Sequence, residues 1–95
     1  MPKRVGGDIR APALRHRVEP TYPPIAVANR VTGTVILEAT VDEAGNVIDV
    51  KVLRPILFLD EAAVKAVKQW RYEPLVLNGQ PFPFTLTVTL TFSLT

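Results

Sequence analysis

The last part of the chain carries its most regular alternation of apolar and polar residues. From Thr85 to Thr95 every second residue is apolar, and each residue between them is a threonine or a serine. The apolar positions are Leu86, Val88, Leu90, Phe92 and Leu94. A period of two is typical of a β-strand with one face in the core and the other in water. The pattern therefore predicts a final strand over Thr85 to Thr95.

A second alternating region predicts a β-hairpin. Its first strand runs from Thr34 to Asp42, and its second strand follows a turn in which Gly45 is the candidate for a left-handed backbone conformation. In the first strand, Val35, Leu37, Ala39 and Val41 are expected on one side. In the second strand, Ile48, Val50 and Val52 alternate with Asp49 and Lys51.

Two helices are predicted. A short helix over Ile25 to Arg30 follows a proline-rich approach, and a longer one begins near Leu59 and ends before Pro74. The longer helix repeats apolar residues at the three-and-four spacing of an amphipathic helix, with Trp70 dominating that face. We expect the core to include Val35, Leu37, Val50, Val52, Val67, Trp70, Tyr72 and Phe92.

The order helix, strand, strand, helix, strand predicts an α+β domain. Connection rules favour a three-stranded antiparallel sheet of order 2-1-3, with both helices packed on one face. In this arrangement the last strand is an edge. Residues 1–18 are interpreted as a flexible basic lead segment, and residues 19–95 as the packed domain.

Composition agrees with one small domain. The chain has 95 residues, of which 47% are hydrophobic, and no cysteine. No apolar run approaches the roughly 18 residues of a membrane span, so this stretch is expected to be soluble. Formal net charge is +2, and the first seventeen residues hold the basic residues Lys3, Arg4, Arg10, Arg15 and Arg17. The basic lead segment indicates either a solvated tail or contact with an anionic partner.

The residues offer little for catalysis or for metal and nucleic-acid binding. His16 is the only histidine and Ser93 the only serine, and they lie in different segments. No nucleophile paired with a base is expected. No metal site is expected either, because there is one histidine and no cysteine, and the segment from Asp42 to Asn46 lacks the spacing and terminal glutamate of a calcium loop. The predicted strands lack the exposed aromatic residues of an RNA-recognition sheet. We therefore expect no enzymatic activity, cofactor, small-molecule substrate or nucleic-acid partner.

The predicted edge strand lacks the residues that usually prevent pairing with another strand. Thr85 to Thr95 contains no charged residue and no proline, whereas long exposed edges usually carry such residues. We expect weak binding of a partner strand to this edge. The alternatives are that the lead segment covers the edge, or that a second copy of the chain pairs with it. Arg71 indicates either a surface pair with Glu73 or a contact site.

Five short segments in this order and spacing carry a resemblance to a known family. They are Pro20-Thr21-Tyr22-Pro23, Gly33-Thr34-Val35, Asp42-Glu43-Ala44-Gly45-Asn46-Val47, Leu59-Asp60-Glu61-Ala62-Ala63 and Trp70-Arg71-Tyr72-Glu73-Pro74. Together with the final amphipathic strand, they resemble the TonB C-terminal domain family over about Val18 to Leu94.

The resemblance implies a docking domain on the periplasmic side of a Gram-negative inner-membrane protein. In that family, an N-terminal transmembrane helix driven by the proton-powered ExbB/ExbD complex is joined to this domain by a Pro-rich spacer. The domain binds the TonB box, a short N-terminal segment of outer-membrane transporters, by strand addition to its last strand.

The expected partner-binding residues combine the family positions with the edge and Arg71. They are Glu19, Pro20, Thr21, Tyr22, Pro23, Arg71, Thr85, Thr87, Val88, Thr89, Leu90, Thr91 and Ser93. The competing interpretation is a homo-oligomerisation module, strand-paired or domain-swapped, without a transport role.

Overall fold

The alternating regions of the sequence form the long strands of the structure. A computed structural model describes residues 2–6 and 9–94. Its elements are β1 (Lys3–Arg4), β2 (Leu14–His16), α1 (Pro24–Ala28), β3 (Gly33–Val41), β4 (Val47–Arg54), α2 (Asp60–Val67), β5 (Arg71–Tyr72), β6 (Leu75–Leu77), β7 (Gln80–Phe82) and β8 (Phe84–Phe92). The final strand thus begins one residue earlier than predicted and ends at Phe92, while Thr95 lies outside the described residues.

The main sheet has the strand order β1-β8-β3-β4. Strands β3 and β8 are antiparallel and in register from Gly33 opposite Phe92 to Val41 opposite Phe84, and β4 pairs with the other side of β3. The part β4-β3-β8 has the predicted order 2-1-3, and the α+β class is confirmed.

The prediction of a three-stranded, fully antiparallel sheet was wrong, because β1 adds a fourth strand parallel to β8. The Lys3 N–H donates to the Pro83 carbonyl at 2.9 Å, and the Val5 N–H donates to the Thr85 carbonyl at 2.8 Å. Arg4 also forms a 2.8 Å ion pair with Glu38 of β3, on the other side of β8. Backbone pairing over two residues leaves no periodic pattern, but the alternative in which the lead segment covers the edge of the last strand holds at Phe84 and Thr85.

Two small antiparallel ladders, β2 with β5 and β6 with β7, were also not predicted. The β6–β7 hairpin turns at Asn78 and Gly79, both of which have positive φ, as a type I′ turn requires. The sequence did indicate this turn, but the flanking strands are only three residues each. Because β1 and β2 both belong to the lead segment, residues 3–4 and 14–16 contact the domain; the boundary at residue 18 stays a prediction.

The core lies on one face of the main sheet. Alternate residues of β3 from Val35 to Val41 and of β8 from Phe84 to Phe92 are buried there, together with Ala26 of α1 and Ala63 and Val67 of α2. Trp70 and Tyr72 are also buried, whereas Val50 and Val52 are half-buried and pack against the cluster. Complete burial of a side chain such as Leu37 contributes about 1.5–3 kcal/mol.

The turn between β3 and β4 fixes the position of β5. Gly45 has a φ of +93°, and the Tyr72 N–H donates to its carbonyl at 2.8 Å. A Cβ atom on Gly45 would lie 1.9 Å from the Tyr72 carbonyl oxygen, so only glycine fits. Asp42 accepts backbone hydrogen bonds from Ala44 and Asn46. Desolvation raises the pKa of Asp42, but hydrogen bonds from Asn46, Ala44 and Gly45 outweigh it and lower that pKa below its ordinary value.

The two helices are short. Pro24 occupies the first turn of α1, and the chain leaves this helix through Arg30, which has a left-handed φ of +52°. α2 has eight residues. Among the described residues, no helix has the length and apolar character needed to cross a membrane.

Candidate partner-binding edge

One long side of β8 is open over most of its length. The Thr85 carbonyl accepts a hydrogen bond from Val5, the residue after β1, so the polar backbone groups of Thr85 point away from β3. Because the direction alternates along a strand, Thr87, Thr89 and Thr91 point the same way. Among the described residues, β8 pairs on this side with β1 only, at Phe84 and Thr85. The N–H and C=O groups of Thr87, Thr89 and Thr91 therefore face no strand.

The opposite edge of the sheet, formed by β4, has features that hinder pairing with another strand. Its pairing with β3 contains two register shifts, which bulge the strand near Ile48 and Leu53. Asp49 and Lys51 add charges along it. Bulges and charges both hinder the addition of another strand. The open edge available for pairing is thus on β8.

The threonines of β8 form a polar surface beside the open edge. Thr87, Thr89 and Thr91 are exposed, and the hydroxyl of Thr91 lies 3.1 Å from that of Thr34 on β3. Thr85 is half-buried, and its outward backbone groups pair with β1. Ser93 is exposed just beyond the end of the strand.

Val88 and Leu90 were expected among the partner-binding residues, but the structure does not bring them to the open side. Their side chains are buried in the core, and their backbone groups face β3 because they alternate with those of the outward threonines. Val88 and Leu90 pack into the core on the face of β8 opposite the threonines. The alternation in the sequence already places Val88 and Leu90 on the opposite face from the threonines. It excludes them from the open edge once the direction of the threonine backbone groups is known.

The Glu19–Pro23 segment meets the far end of the same strand. The Tyr22 ring packs edge-on against Phe92, with 5.3 Å between ring centroids, and the Tyr22 hydroxyl donates to the Val31 carbonyl. Glu19 is exposed and pairs with Arg17 at 2.6 Å. Pro20 and Pro23 are half-buried, whereas Thr21 is exposed. The two expected binding regions are therefore neighbours at the Phe92 end of β8.

Trp70 anchors the start of this segment. Its indole N–H donates to the Val18 carbonyl at 2.8 Å, and the Arg17 guanidinium lies 4.7 Å from the centroid of its ring. A buried indole N–H needs such a partner. Trp70 thus links the hydrophobic core to the approach of the Glu19–Pro23 segment.

Arg71 is the first residue of β5, four positions after the last residue of α2. Its guanidinium donates to the carbonyls of Trp70 at 2.8 Å and Lys68 at 3.4 Å, in the place where cations stabilise a helix C-terminus. The surface pair between Arg71 and Glu73 is not formed, because Glu73 lies 3.3 Å from Arg15 instead. Contact between Arg71 and a partner stays a prediction.

The described residues bring no reactive group to this edge. Within residues 2–6 and 9–94, no three His, Asp or Glu side chains cluster as a metal site would require. His16 and Ser93 are both exposed, the first in β2 and the second after β8. Burial raises the pKa of Tyr72, and Arg17 lowers it in part, so this phenol stays neutral at ordinary pH.

The family model for the Gram-negative bacterial TonB protein C-terminal region matches residues 18–94. The chain belongs to the TonB C-terminal domain family. The family predicted from the sequence is thereby confirmed, over the same residues.

Known TonB proteins agree with this membership. The chain is 35% identical over 80 residues to the TonB protein of Vibrio cholerae, covering 82% of this chain and 33% of that protein. It is 38% identical over 77 residues to TonB of Xanthomonas campestris, covering 79% and 34%. The chain therefore spans about a third of the length of these relatives.

A solved structure of the family has the same fold. The solution NMR structure of the Pseudomonas aeruginosa TonB CTD superimposes with a TM-score of 0.73 at 25% sequence identity. The match covers 96% of this chain and 92% of that one. The elements that form the β8 edge thus belong to a fold already known for a TonB domain.

Proposed function

We propose that this domain is the docking domain of a TonB-type energy transducer. It binds the TonB box of outer-membrane transporters as an added strand on the open side of β8. The observation that supports this function best is the row formed by Thr87, Thr89 and Thr91, whose outward backbone groups pair with no strand of residues 2–6 and 9–94.

The proposed setting follows the family. The domain lies in the periplasm as part of a protein anchored in the inner membrane, and the ExbB/ExbD complex supplies energy derived from the proton-motive force through that anchor. The domain transmits this energy to the transporter, which uses it for active uptake.

The length of the open edge limits the affinity. Thr87, Thr89 and Thr91 each present one N–H and one C=O, which gives about six hydrogen bonds to an added strand. At about 0.5–1.5 kcal/mol net each, these bonds contribute about 3–9 kcal/mol. Loss of translational and rotational freedom costs about 4–15 kcal/mol. Strand pairing alone therefore binds weakly, and contacts at the Glu19–Pro23 segment are expected to add affinity and select the receptor.

Amide hydrogen exchange tests the proposed mode directly. In the free domain, the N–H groups of Thr87, Thr89 and Thr91 should exchange quickly, whereas those of Val88 and Leu90 should already be protected by β3. Addition of a TonB-box peptide should slow exchange of the threonine amides and leave the alternate residues unchanged. Protection confined to residues 2–17, or none at all, would contradict strand addition.

Self-pairing is the second candidate function. The open edge carries no charge between Thr85 and Phe92, so two copies can align without electrostatic repulsion. Sedimentation equilibrium over a range of concentrations separates the two functions. A domain that stays monomeric while it binds the TonB-box peptide excludes homo-oligomerisation.

A further inference from the structure

A groove lies between the segment from Val18 to Ile25 and helix α2. Its volume is about 630 Å³, within the range of about 300–1,000 Å³ that is usual for ligand sites. Pro20, Pro23 and Ile25 contribute apolar surface on one side, and Phe58 stands before the helix on the other. No residue of β8 lines the groove, so it is distinct from the strand-pairing edge.

Phe58 occupies an unusual backbone position. It is the third residue of a tight turn closed by a 3.0 Å hydrogen bond from the Leu59 N–H to the Ile56 carbonyl, and its φ is +73°. Glycine or asparagine normally occupies such a position, because a side chain strains the left-handed conformation. Phe58 is also 37% exposed and lies outside the core cluster of the described residues. Core packing therefore does not account for an aromatic residue here.

The groove has a local charge opposite to that of the chain. Its lining contains the carboxylates of Glu19, Asp60 and Glu61 and only one basic residue, Lys65, whereas the whole chain has a net charge of +2. Arg17 partly neutralises Glu19, and Asp60 accepts a 2.7 Å hydrogen bond from the Ile56 N–H. Among the described residues, the Glu61 carboxylate has no ion-pair partner within 4 Å. An apolar groove bordered by unbalanced carboxylates is complementary to a basic, apolar peptide.

We propose that this groove docks an extended segment of a partner protein in which a large apolar side chain lies between two basic residues. The apolar side chain packs against Phe58 and Ile25. The basic residues face Glu61 and Glu19, which lie on opposite sides of the groove. The groove shares Glu19, Pro20 and Pro23 with the segment proposed to add affinity for the receptor, but none of its lining residues belongs to β8, so binding in the groove does not require strand pairing.

Three capped peptides test the proposed chemistry by NMR titration of the isotope-labelled domain. The first is Lys-Leu-Pro-Leu-Lys, the second replaces both lysines with glutamate, and the third replaces the leucines and proline with serine and glycine. The first should shift the amide signals of Phe58, Glu61 and Lys65 at the lowest peptide concentration, and the third should not shift them. The second should bind roughly fivefold to tenfold more weakly, and added salt should reduce this difference.

Two variants connect the binding to the groove. Phe58→Gly should keep the fold, because glycine accepts a positive φ, but should abolish binding of the first peptide. Glu61→Lys should weaken the first peptide and strengthen the glutamate peptide. Glu43→Lys, an exposed change in the β3–β4 turn outside the groove, should leave both affinities unchanged.

The outcomes are distinguishable from those of strand addition. Equal shifts with all three peptides, shifts confined to Thr87–Thr91, or unchanged binding by a folded Phe58→Gly variant would each overturn the groove proposal. If the Phe58→Gly variant unfolds, Phe58 has a structural role and the test rests on Glu61→Lys. A Glu61→Lys variant that still prefers the lysine peptide to the glutamate peptide as strongly as the wild type does would then overturn the proposal. Binding of the TonB-box peptide to β8 should be the same in the wild type and in the Glu61→Lys variant.

Discussion

Replacement of Thr89 by proline isolates the backbone contribution of the β8 edge. Proline lacks the N–H and is tolerated on edge strands when the missing donor would face solvent. The Thr89 N–H points away from β3, so its loss removes no hydrogen bond of the ladder to Ile36 and its neighbours. An added partner strand, in contrast, loses one donor. Its unpaired carbonyl lies at the surface and can return to water, so the loss is about 0.5–1.5 kcal/mol, or roughly a twofold to tenfold higher Kd.

Calorimetric titration with a TonB-box peptide measures this change, and circular dichroism checks the fold. Thr89→Ala is the matched control, because it removes the hydroxyl and keeps the N–H; it should bind like the wild type. A folded Thr89→Pro variant with wild-type affinity would show that the partner does not pair along this part of β8. Equal weakening in Thr89→Ala would assign the effect to the side chain instead.

Three further changes test the scaffold of the site. Gly45→Ala forces a Cβ atom against the Tyr72 carbonyl and should destabilise the domain by at least about 2 kcal/mol, seen as a melting temperature lower by about 8 °C or more; a smaller shift would contradict the close approach. Asp42→Asn tests the lowered pKa of Asp42. The Asp42 carboxylate contributes to the free energy of unfolding above its unfolded-state pKa, and this contribution is lost as pH falls through its folded-state pKa. Below about pH 5, the free energy of unfolding should therefore depend less on pH in the variant than in the wild type. Trp70→Phe removes the hydrogen bond to the Val18 carbonyl and should cost about 1–3 kcal/mol in urea unfolding, with lower NMR order parameters at Val18 and Glu19. Unchanged order parameters would show that Trp70 does not hold the binding segment.

The sequence predicted those parts of the fold whose signal is local and repeated. Nine-residue strands such as β3 and β8 alternate often enough to specify both their type and their buried face. A short strand such as β1 has only two residues and is defined by its pairing with Phe84 and Thr85. Such pairing depends on contacts between distant segments, which periodicity does not encode.

The candidate sites also combine features that the sequence predicted with features that only the structure reveals. The absence of charge and proline in the last strand was visible in the sequence, and it predicted an edge open to pairing. The direction of its free backbone groups required the structure, because it depends on the hydrogen bond from Val5 to Thr85. The groove could not be predicted, since it joins residues 18–25 to residues 58–69 and includes Phe58 in a turn that favours glycine.

The register between β3 and β8 has a mechanical consequence. Nine residue pairs, from Gly33 opposite Phe92 to Val41 opposite Phe84, lie side by side along the direction of the strands. A tension applied along β8 loads all of these pairs in shear at once, whereas a tension across the sheet opens them one after another. A ligand strand lying parallel to β8 and pulled along its length would load its own hydrogen bonds in the same way. If a partner strand binds as proposed, it would resist a lengthwise pull better than its modest equilibrium affinity suggests.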